Sequence, residues 1–555
     1  KQEYEEYVKD SKNYRDRWEY LLAYNDNDVE MMIKPIDNLI NQNAQYKVDM
    51  ISNLSLSKCS TSIKYALAYK DFDVNANYAI VNTVTIFEPS LKWWIKKCAN
   101  YKKQDELYNA KLESKISKLT NDDINNIKIK SKMRNIENCV SENDYQKFLE
   151  MYKNEGYCYL CKEHFTHDNK PTLDRIDNSI GHELSNCKLA CKICNNLRNR
   201  KDEKITRLRI QLKKYCLLHH LPTTVTDEKE YYNLRQNMTG GISNVLHRYC
   251  IKGETYINRF RYTNDNKVVS EDTENKITHI LGLDFNSLYP SVFSSIKHDF
   301  IDYHGGVMFM PGSYKRRFEV YDENGDKNKE IYKKCSNIIF SKYRYQPNPK
   351  YLFIATVKLI CPKNKINYFI NFPPIIRNIT IKNDEIVIGS YMYNYMKEHK
   401  LSSLNKEERR LTQLLDTCGQ YMTFSNYYLW FLLDQGLVLE DIKSVSLYEA
   451  HNQFHEFVTT FMKKRQDIIS KKEKGNEKFY KISMNGSYGY DGINSENFSK
   501  IKICNKDKAY SAIISDTYIN GIEINDDCYL IQQQPKHFKC NTPLQEAFFT
   551  LDNAK

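Results

Sequence analysis

What the chain lacks narrows its class first. Its 555 residues hold no apolar run approaching the ~20 that a helix needs to span a bilayer, and no secretory signal is visible at the start. No membrane partner is therefore expected. Sixteen cysteines are present but, one cluster apart, they are scattered. That argues for a metal site over a disulfide framework and for an intracellular, reducing compartment, with nucleus, cytoplasm and organelle left open. Acidic excess is missing as well: 82 Lys+Arg stand against 70 Asp+Glu, a formal charge of +12, which favours a polyanionic partner. The 43 tyrosines among these cations suit stacking on unpaired bases, and they are also what an AT-rich genome encodes. Several domains are expected, because single cores stop growing near ~250–300 residues. The chain begins at Lys1 and not at Met, so a piece of a longer protein is expected.

The cysteine cluster comprises Cys158-x-x-Cys161 and Cys191-x-x-Cys194, with 29 residues between the pairs. Thiolates at this spacing form two knuckles that close a tetrahedral site, so structural Zn²⁺ is expected, with nearby Cys187 leaving the ligand set open. The second stretch that stands out is His279-Ile-Leu-Gly-Leu-Asp284-Phe285-Asn-Ser287-Leu288-Tyr289-Pro290-Ser291. An apolar run ending in an aspartate and breaking at a proline predicts a buried strand that presents one carboxylate. Upstream, residues 1–45 have helical periodicity, which places Tyr24 and Asp28 one turn apart on one face. The Trp93-Trp94 pair predicts a packed region, residues 101–150 a helical connector, and 204–214 a helix with one apolar and one basic, solvated side. Residues 297–400 and 490–540 are β-patterned. Between them lie an apolar run at 427–432 and two helices, one carrying Arg465 and one carrying Lys481, Asn485 and Tyr488.

The sequence Asp284-x-x-Ser287-Leu288-Tyr289-Pro290-Ser291 closely resembles the first catalytic motif of family B DNA polymerases. The resemblance implies that Asp284 binds divalent metal, Mg²⁺ or Mn²⁺, in the palm. It implies too that Tyr289 packs under the incoming sugar and excludes a 2′-hydroxyl, with Phe285, Ser287 and Leu288 lining the nucleotide site. Lys481-x3-Asn485-Gly-Ser-Tyr488-Gly489 is similar to the family's fingers motif, departing from it at Gly486. There Arg465 and Lys481 would grip the triphosphate, and Asn485 and Tyr488 would line the templating pair. Met238-Thr-Gly240-Gly241 resembles the element that touches template phosphates in protein-primed members, with Met238 in place of a Tyr. Gly240, Gly241 and Gly489 are thereby expected at DNA. Tyr24 and Asp28 resemble the third motif of the proofreading 3′–5′ exonuclease, whose other carboxylates would precede residue 1. Protein-primed members also carry insertions at 297–400, where a terminal protein docks, and at 490–540. The family's third motif, with the second palm carboxylate, is not found: Ser515-Asp516-Thr517 runs into Tyr518-Ile519.

The cysteine module resembles the zinc-supported HNH endonucleases, a ββα fold. Asp174 and Asn195 would bind the catalytic metal, and Asn186 would hold the loop. Arg175 stands where the family has its histidine base, and arginine accepts no proton near neutral pH. His182 and Asp177 are the other candidates for that role.

The expected architecture is α+β and multidomain. Residues 1–149 would be a partial exonuclease-like domain and connector, 150–205 an HNH-like ββα zinc module, and 206–555 a polymerase palm (antiparallel sheet with helices) and helical fingers with two insertions. The expected function is template-directed DNA synthesis for a viral or mobile element, with primer–template DNA, deoxynucleoside triphosphates and a terminal protein as partners. As given, the chain is expected to bind DNA and nucleotide with little extension. The alternatives are a zinc-supported HNH endonuclease and an inactive mobile-element relic.

Overall fold

The computed structural model describes residues 5–555 apart from 6, 7, 10, 54, 77, 79–85, 118–126, 128, 129, 200, 244–248, 472, 473, 495, 497, 498 and 535–539. The chain divides into two compact units, one made of residues 1–70 with 220–555 and the other of 71–219. This division differs from the expected boundaries at 149 and 205.

The N-terminal part of the first unit is helical. Helix α1 (Arg17–Ala44) starts where the Asp16 carboxylate accepts the backbone N–H groups of Trp18 and Glu19, which would otherwise lack partners in the first turn. Helix α2 (Leu56–Ala68) is capped in the same way by Ser55.

The second unit contains α3 (Leu91–Ile116), α4 (Tyr145–Glu155), the antiparallel pair β1 (Pro171–Arg175) and β2 (Cys187–Cys191), α5 (Lys192–Arg198) and α6 (Glu203–Leu218). Helix α4 ends at Gly156, whose φ of 64° is a left-handed conformation that glycine adopts without a Cβ penalty. The core joins Trp94, Tyr101 and Phe148 to the knuckle cysteines, with Trp94 stacked on Phe148 at 4.3 Å. So the tryptophan pair, expected in an exonuclease-like domain, and the supposed connector are walls of the cysteine unit. The basic side of α6 is not simply solvated either. Lys214 is buried, donating to the Cys161 carbonyl at 2.7 Å and pairing with Glu163 at 2.5 Å, while Gln211 donates to the Leu160 carbonyl. A long alkyl stem lets lysine bury its body and bring its charge to a partner.

The rest of the first unit is built on a four-stranded antiparallel sheet. In chain order come α7 (Leu288–Phe293), β3 (Met310–Glu319), α8 (Lys329–Ile339), β4 (Tyr351–Ile360), β5 (Met422–Ser425), α9 (Asn426–Asp434) and β6 (Val438–His451). The strand order is β3-β6-β4-β5. Six consecutive residues of β4 are buried, as a strand covered on both faces requires. Two strands of this sheet, β3 and β4, therefore come from 297–400. That segment is a structural part of the sheet unit, and it also contributes three helices. Helices α10 (His455–Ser470) and α11 (Lys474–Gly486) form the expected helical pair, and α12 (Leu544–Asn553) is almost wholly buried beside the sheet. Residues 500–533 make a small three-stranded antiparallel sheet. The fold is mixed α and β, with several small antiparallel sheets.

One expectation fails at the centre. Residues 278–286 form no strand; the stretch is irregular and open to solvent, with Leu281 81% and Leu283 88% exposed. A strand persists only where its backbone groups find a ladder partner. Among the described residues, none pairs with this run. Asp284 thus sits on an exposed loop.

Candidate nucleotide site and zinc unit

The Asp284 loop turns into α7 through Ser287, which adopts φ 52°, a left-handed conformation uncommon for a residue with a side chain. Pro290 falls in the first turn of α7, where its missing N–H costs no hydrogen bond. This turn aims two residues at the α10–α11 pair. The Arg465 guanidinium lies 3.4 Å from the Ser287 hydroxyl, and its other arm donates to Glu477 at 2.9 Å. The Tyr289 ring lies 5.0 Å from that of Tyr488, which also approaches Phe293. Residues nearly two hundred positions apart thus share one site. Lys481 and Asn485 are exposed one turn apart on α11, and Leu288 is half-buried. Burial and the neighbouring Tyr289 push the Tyr488 hydroxyl up to about 12, so it remains a neutral donor.

Other expected residues stand apart. Phe285 packs edge-on against Phe300. Tyr24 and Asp28 are exposed on α1, where the Tyr24 ring packs against Tyr20. Gly240 and Gly241 are in a segment without regular structure where a side chain would meet open space, and the preceding Met238 borders Gly492, three residues beyond Gly489. Asp284 belongs to no such cluster: among the described residues, the Cys158–Cys161–Cys191–Cys194 group alone brings three or more metal-ligating side chains together. These residues by themselves do not make a two-metal site, which needs several bridging oxygens.

Sequence reasoning missed helix α2. Its Ser57 and Thr61 hydroxyls donate to the carbonyls of Gly486 and Ser487 at 2.7 and 2.8 Å. Lys64 pairs with Asp491 at 2.6 Å, with both side chains 1% exposed. Phe454 and Phe293 lie under the Lys64 ammonium. So α2 holds the backbone just before Tyr488 and the Asp491 side chain just after it. The signal available was faint, a lone lysine in the small-residue run Ser60-Thr61-Ser62-Ile63-Lys64.

In the second unit, the four cysteine sulfurs lie within 4.8 Å of one another and are buried. Cys161 Sγ and Cys191 Sγ are 3.9 Å apart, which fits two vertices of a tetrahedron with ~2.3 Å zinc–sulfur bonds. Cys191 Sγ also accepts the Cys194 N–H, as knuckle thiolates do. The group can hold a metal ion such as zinc, and Cys187 lies outside it. Around it, Asn186 spans the 177–181 loop, its amide donating to the carbonyls of Asp177 and Gly181. Asn195 pins α5 to β1 through Thr172 and the Leu173 carbonyl.

Asp174 and Arg175 are both engaged. Tyr159 and Arg198 take the two Asp174 oxygens at 2.6 and 2.7 Å, and burial pushes the Asp174 carboxyl up despite them. Arg175 donates to Asp105, a fully buried carboxylate that also receives Arg134 and His182. Burial lowers His182 although Asp105 opposes it, and its ring stacks on Tyr101. A carboxylate with both oxygens occupied is a poor ligand, and a guanidinium cannot act as base. Incubation with supercoiled plasmid and Mg²⁺ is expected to leave the plasmid closed; nicking abolished by Asp174→Ala would contradict this geometry.

Three solved structures of Phi29 DNA polymerase are similar to this chain. Two are complexes with primer–template DNA, one of them with incoming nucleotides, and the third is an orthorhombic crystal form. Identity is 13–15%, the TM-score is 0.27–0.28, and the match covers 63% of this chain. The chain spans less than half the length of these structures, 46–47%. No family model and no curated protein matches the chain. At such a score, the case for the site rests on the side chains described above.

Proposed function

We propose that the first unit is the nucleotide-binding part of a family B DNA polymerase, acting on primer–template DNA and deoxynucleoside triphosphates. The meeting of Ser287 and Tyr289 with Arg465 and Tyr488 carries this reading. Phosphoryl transfer needs fixed cations on the leaving pyrophosphate, and one helix pair offers Arg465 and Lys481 for that purpose. The Tyr289–Tyr488 pair, two rings tilted by 33°, gives an aromatic wall against which a deoxyribose and its base can pack. Asp284, at the head of the same turn, would contribute one metal ligand. Mg²⁺ or Mn²⁺ would supply charge neutralisation there, but one carboxylate does not hold the pair of ions, and no step is assigned through them. The zinc unit is proposed as an accessory DNA-binding body. Priming by a terminal protein and the exonuclease role of Tyr24 and Asp28 belong to the same reading.

Titration of the full chain and a primer–template with fluorescent dATP, in Ca²⁺ to prevent turnover, tests the assignment. Arg465→Ala is expected to weaken dATP about 10- to 100-fold, the loss for removing a charged hydrogen-bonding partner (~1.5–3 kcal/mol). Affinity for the primer–template should change less than twofold. Equal dATP affinity in the two proteins would sink the assignment.

A further inference from the structure

The first unit has a second place built for an anion and a flat ring, away from the Tyr289–Tyr488 wall. It is a cavity of about 770 Å³ between α8, the 341–350 segment and the start of β4. That size falls within the range of small-ligand sites, roughly 300–1,000 Å³. Four cations line it, Lys333, Lys334, Arg344 and Lys350, against one lining acid, Glu330. Two tyrosines stand among them, Tyr343 60% and Tyr351 42% exposed, with the Lys342 ammonium over one ring and the Lys350 ammonium over the other. The floor is Trp430, whose indole is fixed by donating to the Ile339 carbonyl.

The cations are not all spent on internal partners. Lys333 makes no ion pair with any described residue. Arg344 donates one arm to Asp434 at 3.0 Å and lies over the Tyr345 ring, while its buried Nη1 has no hydrogen-bond partner among the described residues. A buried guanidinium nitrogen left unsatisfied is costly, so native proteins fill such donors with protein, water or ligand. A cavity lined by four cations and one acid selects an anion, and two partly exposed tyrosines select a ring beside it.

We infer that this cavity binds a nucleoside 5′-phosphate unit, its base stacked on Tyr343 or Tyr351 and its phosphate at Arg344, Lys333 and Lys350. Base–aromatic stacking beside backbone cations tolerates any sequence. The unit can come from a free nucleotide or from single-stranded nucleic acid. No residue of the Arg465 site lines the cavity, so binding here is independent of the polymerase assignment.

The test uses the full chain and two probes, 5′-fluorescein-dT8 and dAMP, with two variants, Tyr343→Ala and the double variant Lys333→Glu/Lys350→Glu. Thermal melting first establishes that both variants fold. The charge reversal is expected to weaken dT8 at least tenfold and to lower its salt slope by about 1.4, or ~0.7 for each single-strand phosphate that is no longer neutralised. Tyr343→Ala is expected to weaken dT8 about tenfold and to shift the salt slope little. Arg465→Ala should leave dT8 binding unchanged, which separates this cavity from the dATP site. If dAMP binding falls in step with dT8, a free nucleotide is an occupant; if dT8 alone falls, the occupant is a strand. Where a variant fails to fold, photocrosslinking of 4-thio-dT8 to the unaltered chain replaces it, with adducts expected in residues 333–351. Unchanged binding of both probes in both folded variants, or adducts only outside that segment, overturns the proposal.

Discussion

Stripping the four-cysteine group of its metal is expected to unfold the β1–β2–α5 part of the second unit. A structural zinc site contributes ~10–16 kcal/mol of apparent binding free energy at neutral pH, whereas a whole domain is stable by only ~5–15 kcal/mol. The sulfurs are also part of the hydrophobic core that holds Trp94, Phe148 and Leu189, so the site cannot open without exposing that core. Lys214 and Gln211 of α6 are anchored on the carbonyls of Cys161 and Leu160 and would lose their partners too. The expected result is one zinc per chain by metal analysis. Amide exchange across 158–198 should become fast after chelation at neutral pH, and Cys158→Ser/Cys191→Ser should reproduce it without chelator. Protection that survives verified metal removal would show that the apolar core suffices and that the cysteines are ordinary buried thiols.

How much of this is legible in the sequence depends on how local each feature is. The knuckles are legible because two residues between cysteines fix a turn and its ligands together. The α10–α11 pair is legible from the motif around Lys481, Asn485 and Tyr488, and the loop-holding role of Asn186 from the resemblance that named it. The failures are non-local. Residues 279–284 have the apolar composition of a strand, but composition does not supply a ladder partner, and the run lies open. The 297–400 segment reads as an addition by analogy with the family it resembles. In the fold, β3 and β4 both pair with β6, which lies far later in the chain. Arg175 and Asp174 read as chemistry, yet their partners Asp105 and Arg198 make them structural pairs. No local pattern announces Asp105 or the anchoring role of Lys214.

Lys64→Ala is expected to be the most damaging single change in the first unit, and its cost should grow with pH. Lys64 and Asp491 are paired out of water, with Tyr65 donating to the same carboxylate oxygen and the buried His451–Glu546 pair close by. Burial raises the Asp491 carboxyl to about 6, with Lys64 pulling the other way and Glu546 adding to the rise. A folded-state value above the unfolded value of about 4 means that the folded chain holds the proton more tightly. The stability from this group is therefore fully present below about pH 4 and is lost as pH rises through 6. Removing the ammonium leaves Asp491 to be buried either as an unpaired charge or as a neutral acid. At pH 8 the penalty should be about 3–5 kcal/mol, as for other buried pairs broken on one side. Near pH 4.5, where Asp491 takes its proton, the penalty should shrink to that of the lost lysine stem and its packing on Phe454. Replacing both partners, Lys64→Met/Asp491→Leu, should recover most of the stability at pH 8, because apolar pairs of similar volume often substitute for buried ions. Urea unfolding of the three proteins at both pH values checks this, and a penalty equal at pH 4.5 and 8 would mean that charge is not what the pair contributes. The same experiment reaches the proposed function. Helix α2 holds the Gly486 and Ser487 carbonyls through Ser57 and Thr61, so loosening it at Lys64 frees the turn that places Tyr488 against Tyr289. In the double variant, where α2 is again packed, dATP affinity should return with stability. Recovery of stability without recovery of dATP binding would separate Lys64 as a direct contributor to the nucleotide wall from Lys64 as its support.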